Sequence, residues 1–367
     1  NQVFKLAMAP DGRTLYACTT SGLFKSSDHG VTWIKNASLP ASLKANDIEF
    51  HPTNPQVIYV TSRSGTDQHP IGGANTSYFY VSTNGGTTFT LVTCPLDSKG
   101  RPAQVSVSAN NPDIAYISVY PDDEGLVPEN QGGMIMKYTF STNNIATIVG
   151  PTFNFPLGNF SGAWDFRFEV NPSNANHLIY GCVNVHQSFD GGMSWQNIPS
   201  PHSDQHDFKW QNGTNRLWFA DDGGLSYTTN GGSAWTYMKK IQTTQYYSVR
   251  SSKYGKNFLG GLQDAGTQVN MNGHWFSAIG GDGLEVAVDP VDSFTVYGTV
   301  QNGQATGRIT YNPNTQTSST KIIMNQSIAG GFAGTWRVKV LIDAADHNTL
   351  YTNYRDIFKS TNKGDTW

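Results

Sequence analysis

The chain is 367 residues long with a net charge of −3; charged residues make up 14% of it, aromatics 12%, and it contains 38 glycines. That length can bury a sizeable core, while so nearly neutral a balance excludes a strongly basic nucleic-acid binder. No apolar run approaches the roughly 18 residues that a membrane helix needs. Low charge with abundant Gly, Asn, Thr, Ser and aromatics points to an all-β protein with many turns, not to a helical bundle or a disordered chain.

The start, Asn1-Gln2-Val3-Phe4-Lys5, has no charged segment followed by an apolar one, so no signal peptide is visible. With no initiator Met either, the chain reads as a processed or excised piece of something longer, whose further domains are expected partners. Cys18, Cys94 and Cys182 are an odd, widely spaced set. Cys18 and Cys182 sit in matching contexts, Leu15-Tyr16-Ala17-Cys18 and Ile179-Tyr180-Gly181-Cys182, and are expected as buried small hydrophobes. Neither a disulfide framework nor a zinc site is suggested.

Two elements recur along the chain: a turn leading into a short strand with an aromatic, then a box of the form Ser-x-Asp/Asn-x-Gly-x-Thr-Trp. The first unit, from near residue 3, has Ala9 to Tyr16, then Ser26-Ser27-Asp28-His29-Gly30-Val31-Thr32-Trp33. The second, from near 46, has His51 to Tyr59 and a box from Ser82 through Asn84 and Gly86 to Phe89. The third, from near 103, has Asn111 to Tyr116 and a degenerate box at Ser141 to Ile148. The fourth, from near 163, has Asn171 to Tyr180 and a box with Asp190, Gly192 and Trp195. The fifth, from near 205, has Asn215 to Trp218 and a box with Asn230, Gly232 and Trp235. Units from near 246 and 283 carry Lys256 to Phe258 and Asp289 to Tyr297. The last, from near 335, carries Asp343 to Tyr351 and a box with Asn362, Gly364 and Trp367.

Physical chemistry explains the box as a tight hairpin turn. Asp or Asn caps it with the side chain, Gly supplies positive φ, the hydroxyls bond local backbone, and the aromatic opens the next strand and is expected to bury beneath. Successive aromatics lie roughly 40 to 60 residues apart, the size of a four-stranded propeller blade. The expected fold is therefore one all-β domain over residues 1–367, a β-propeller of about eight four-stranded units with the boxes on its rim. Insertions at 61–78 and 121–134 are expected as loops between strands.

The box resembles the Asp-box, or BNR repeat. The middle of the chain adds His202-Ser203-Asp204-Gln205-His206, Asp221-Asp222-Gly223-Gly224, Gln263-Asp264-Ala265-Gly266-Thr267 and Gly280-Gly281-Asp282-Gly283. This order is similar to that of bacterial exported Asp-box propellers, grouped with sortilin-like and glycosyl hydrolase BNR-repeat sequences; Ala265 replaces the usual Asn. The resemblance implies a secreted or cell-surface propeller, commonly one module of a multidomain protein.

Two enzyme families share the box. In family 74 xyloglucanases the catalytic acid lies in an Ala-Arg-Thr-Asp-Ile-Gly-Gly-like stretch of the first blade. The matching stretch here is Ala17-Cys18-Thr19-Thr20-Ser21-Gly22, where Thr20 replaces the carboxylate, and a hydroxyl is no general acid near neutral pH. Sialidases require an arginine triad and an Arg-Ile-Pro signature, neither of which is found. No catalytic residue is therefore assigned.

Asp204, Asp222, Asp264 and Asp282 occur in successive units and could converge on one face, as glycoside hydrolysis by two carboxylates would need; turn chemistry is the favoured reading. His202, Asp204 and His206, spaced i, i+2, i+4, would share one face of a strand. They are candidates for a structural metal ion, zinc or calcium, or, as favoured, for a buried polar network with Asp221 and Asp222, near Gln263 and Asp264. Trp164, Tyr246, Tyr247, Trp275, Phe276 and Trp336 lie outside the boxes and are expected mostly to pack between blades. His69 with Gly72 and Gly73 reads as loop punctuation. The favoured function is a non-catalytic extracellular or cell-surface module binding protein or glycan, with no cofactor and no nucleic-acid partner. An exported glycoside hydrolase or lyase on polysaccharide is the alternative, and a structural spacer or assembly subunit the third.

Overall fold

The computed structural model describes residues 2–63, 78–92, 103–119, 134–149, 166–181, 183–211, 213–238, 244–253 and 255–367. Both expected insertions lie largely outside these residues, as do Cys94, Trp164, Cys182 and the loop with His69, Gly72 and Gly73. Cys18 is buried as expected, and burial pushes its thiol well above the usual range.

The described chain is a succession of antiparallel meanders, seven of four strands and one of three. The first-strand positions are Val3–Met8, Lys44–Phe50, Ala103–Val107, Arg167–Val170, Gln205–Trp210, Tyr246–Ser251, Gly283–Val288 and Val340–Ile342. Each meander follows chain order across its sheet, which is the blade arrangement of a β-propeller. The eighth sheet has three strands, ending with Ile357–Ser360, and the sequence reaches Trp367 where a fourth would begin. The chain divides into two compact units, residues 1–239 with the first five sheets and residues 240–367 with the last three.

Burial explains the blades. In the first unit, apolar clusters fill the layers between successive sheets. Tyr59, Phe79 and Val105 with Ile117 and Tyr138 join the second and third, and Ile179, Val185, Phe208 and Phe219 join the fourth and fifth. In the second unit, Leu259, Val269, Val286 and Ile309 do the same for the sixth and seventh sheets. The turn–aromatic element works as read: the Asp289 carboxylate accepts the N–H groups of Val291 and Asp292, and Tyr297 on the next strand is fully buried.

The boxes join the third and fourth strands. Ser26 Oγ accepts the Gly30 N–H at 2.8 Å and donates to Asp28 Oδ1 at 2.7 Å, while Asp28 accepts the Thr32 N–H at 2.9 Å. The same pattern recurs at Ser82, Asn84 and Gly86, at Ser188, Asp190 and Gly192, at Thr228, Asn230 and Gly232, and at Ser360, Asn362 and Gly364. The expectation that the aromatic is buried needs correction. Phe89 is 8% exposed, but Trp33 is 37% exposed, and Trp195, Trp235 and Trp367 are half-buried. The indole N–H explains this: Trp33 and Trp195 each donate to the glycine three residues earlier, Trp33 to Gly30 O and Trp195 to Gly192 O, holding the ring along the turn rather than beneath it.

Candidate functional site

The fifth sheet gathers most of the sequence candidates, but not by strand alternation. Its first strand begins only at Gln205, so His202 and Asp204 precede it, and Asp204 takes a positive φ of 60°. Gln205 pairs with Asp221 and Asp207 with Ala220, leaving His206 as the extra residue of a β-bulge. A bulge redirects its side chain. His202, Asp204 and His206 therefore do not line one strand face.

The bulge turns His206 toward the loop after the second strand, where its Nε2 meets Asp222 Oδ1. The His206 side chain is 41% exposed and that of Asp222 20%. The Asp222 N–H donates to Asp204 O at 3.3 Å, tying the entry segment to the turn. His202 Nδ1 lies 3.1 Å from Ser203 O. Arg167, from the fourth sheet, donates its Nε–H to His206 O and a second N–H to Phe166 O. Asp221 is buried, and burial pushes its carboxyl up against the opposing pull of His202 and of the Gly223 and Gly224 amides. The glycines are structural: a Cβ on Gly223 would lie 2.8 Å from His202 Cβ and Cγ, and Gly224 has a φ of +121°.

In the second unit, Asp264, with a φ of 56°, donates its N–H to Asp282 Oδ1 at 2.8 Å. The Asp282 N–H donates to Gln301 Oε1 at 2.8 Å, and the Gln263 N–H to Gln245 O at 3.0 Å. These contacts join Asp264 to Asp282 through turn chemistry. Tyr246, Trp275 and Trp336 are exposed, contrary to the packing expected of them, whereas Phe276 stacks on Tyr311 with ring centroids 6.0 Å apart.

Sequence reasoning missed a charged cluster on the first strands of the first unit. The Lys5 ammonium lies 3.4 Å from Asp47, and Lys209 lies 2.9 Å from Glu169. Lys5 also feels Glu49, Glu169 and Asp207, so carboxylates of three sheets act on one cation and hold its pKa well above the usual range. Burial pushes Glu49 up to about 7 and raises Glu169, against the pull of Lys5 and Lys209. The signal was present as alternate charges in otherwise apolar strands, Asp47-Ile48-Glu49 and Asp207-Phe208-Lys209.

Among the described residues, no group of three or more His, Cys, Asp or Glu side chains is placed to hold a metal ion. No helix among them is long and apolar enough to cross a membrane.

No family model matches the chain. Xyloglucanase Xgh74A of Acetivibrio thermocellus is 30% identical over 215 residues, covering 53% of this chain and 25% of that protein. The chain thus matches about a quarter of its curated relative. Among solved structures, an ancestral GH74 enzyme is similar with a TM-score of 0.57 and 15% identity over 99% of this chain and 62% of that one. The GH74 xyloglucanase from Xanthomonas campestris gives a TM-score of 0.53 and 16% identity over 100% and 64%. Of the functions read from the sequence, the match to the xyloglucanase stands closer to the polysaccharide-acting alternative than to the non-catalytic module. At such identities, the likeness in structure establishes the fold, a β-propeller.

Proposed function

We propose that the chain is a propeller module of an exported glycoside hydrolase acting on polysaccharide, and that glycan meets it at the Asp221–Gly224 turn. The observation that carries this reading is the 30% identity over 215 residues with a xyloglucanase.

The internal repeat supports the choice of turn. In the first sheet Thr19 pairs with Gly22, leaving Thr20 and Ser21 at the tip between second and third strands. In the fifth sheet Asp221 pairs with Gly224, leaving Asp222 and Gly223 at the tip. Asp222 therefore occupies the repeat position of Thr20, where the family 74 resemblance calls for an acid. Hydrolysis needs a carboxyl group within reach of the glycosidic oxygen. Asp222 is accessible enough for a sugar oxygen to approach, and His206 holds it in place.

The test is to assay the purified chain on xyloglucan and a panel of other polysaccharides beside Asp222→Asn. Turnover that disappears in the variant supports the reading. Saturable binding without turnover returns the chain to a glycan-binding role, consistent with Thr20. Neither binding nor turnover on any polysaccharide sinks the proposal.

A further inference from the structure

The Asp221–Gly224 turn carries two adjacent carboxylates in unlike surroundings. Asp222 is partly exposed beside His206, whereas Asp221 is only 8% exposed. Opposite Asp221 in the ladder stands Gln205, 0% exposed. Opposed residues of an antiparallel pair project to the same face, with Cβ atoms about 4.5–5.5 Å apart. The Gln205 amide nitrogen donates to His202 O at 2.6 Å, which fixes which end of the amide is which. Gln205 Oε1 and Asp221 Oδ2 are both buried and have no hydrogen-bond partner among the described residues.

Two buried acceptors on residues that the ladder sets opposite each other need an electropositive partner, because each unmet lone pair is costly. A cation fits poorly: calcium takes six to eight oxygen ligands, and among the described residues of this sheet Ser226 Oγ is the single further orphaned oxygen. A water would satisfy both acceptors but leave a buried charge beside Asp222 and near Asp204. The positive groups nearby are His202, His206 and Arg167, and Arg167 is turned to the carbonyls of His206 and Phe166. Asp207 and Lys209 lie further along the same strand, and the third strand, Gly224–Thr228, brings no charge.

We infer that Asp221 is held as the neutral acid and donates its proton to Gln205 Oε1, which leaves Asp222 as the carboxylate the turn offers to a glycan. Asp221 is thus a positioning residue, locking the turn to the strand that carries His206. The raised pKa that burial gives Asp221 agrees in direction. This inference rests on the role given to Asp222 above, but its test does not depend on turnover.

The experiment follows thermal unfolding of the full chain from about pH 5 to about pH 8 for wild type, Asp221→Asn and Asp221→Ala, with and without EDTA. The folded protein would keep a proton that the unfolded chain has released, so this contribution to wild-type stability should fall as pH rises, by about 2–4 °C in Tm. Asp221→Asn, whose amide donates to Gln205 at every pH, should lose that component and match or exceed wild type at the upper end. Asp221→Ala should be less stable throughout. An Asn variant as unstable as Ala, with the wild-type pH dependence intact, would show an ionised Asp221 and overturn the inference. So would a wild-type Tm lowered by EDTA, which would mean a bridging cation. An Asp222→Asn variant with full turnover would sink the functional reading while leaving these unfolding curves to decide the proton.

Discussion

Glu169 accepts the Lys209 ammonium at 2.9 Å, and Lys5 is committed in the same way to Asp47. Both lysines of this first-strand cluster are therefore paired, and Glu49 is left without an ion pair or hydrogen bond among the described residues. Its carboxyl, raised by burial to about 7, binds a proton in the folded state that it releases in the unfolded state above the ordinary carboxylate range. The favourable contribution is present at acid pH and is lost as pH rises toward and through 7. Urea unfolding across that window should show stability falling, and Glu49→Gln should flatten the curve by on the order of 1 kcal/mol. Identical slopes for variant and wild type would refute the assignment.

The box aromatics should not be equivalent. Phe89 is buried against the cluster between the first two sheets, so Phe89→Ala should cost about 3–4 kcal/mol. Trp33 is exposed and anchored mainly by its indole N–H, so Trp33→Ala should cost only about 1–2 kcal/mol. Denaturant midpoints of the two variants, compared at equal slope, decide this. Equal losses would mean that Trp33 is buried after all.

Gly223→Ala should be disruptive although φ imposes no penalty there. The new methyl would lie 2.8 Å from the His202 Cβ, so the entry segment or the turn must shift. A loss of about 1–3 kcal/mol in stability is expected, with weaker glycan retention in affinity electrophoresis. A variant with unchanged stability and retention would show that His202 moves freely.

His206→Ala should separate stability from function. The pair with Asp222 is partly exposed, so its loss should cost no more than about 1 kcal/mol, less than a fully buried network would imply. If the turn meets substrate, the variant should still lose most turnover or glycan binding. Undiminished activity in a folded His206→Ala protein would remove the pair from the site.

The division between sequence and tertiary structure follows the range of the interactions. Units expected near 3, 103, 205, 246 and 283 begin with strands at Val3, Ala103, Gln205, Tyr246 and Gly283, because turn chemistry is local. The hydroxyl, carboxylate or amide, and glycine that close Ser26 to Gly30 lie within five residues of one another, so the box is readable in one dimension. The site was legible only as a set of residue types. That His206 stands at a bulge depends on how Gln205 and Asp207 register against Asp221 and Ala220, and the i, i+2, i+4 rule assumes that no such bulge exists. The pairing of Lys5 with Asp47, and of Lys209 with Glu169 some 40 residues away, depends on packing between sheets. Local propensity gives the blades, and inter-sheet packing decides which side chains meet.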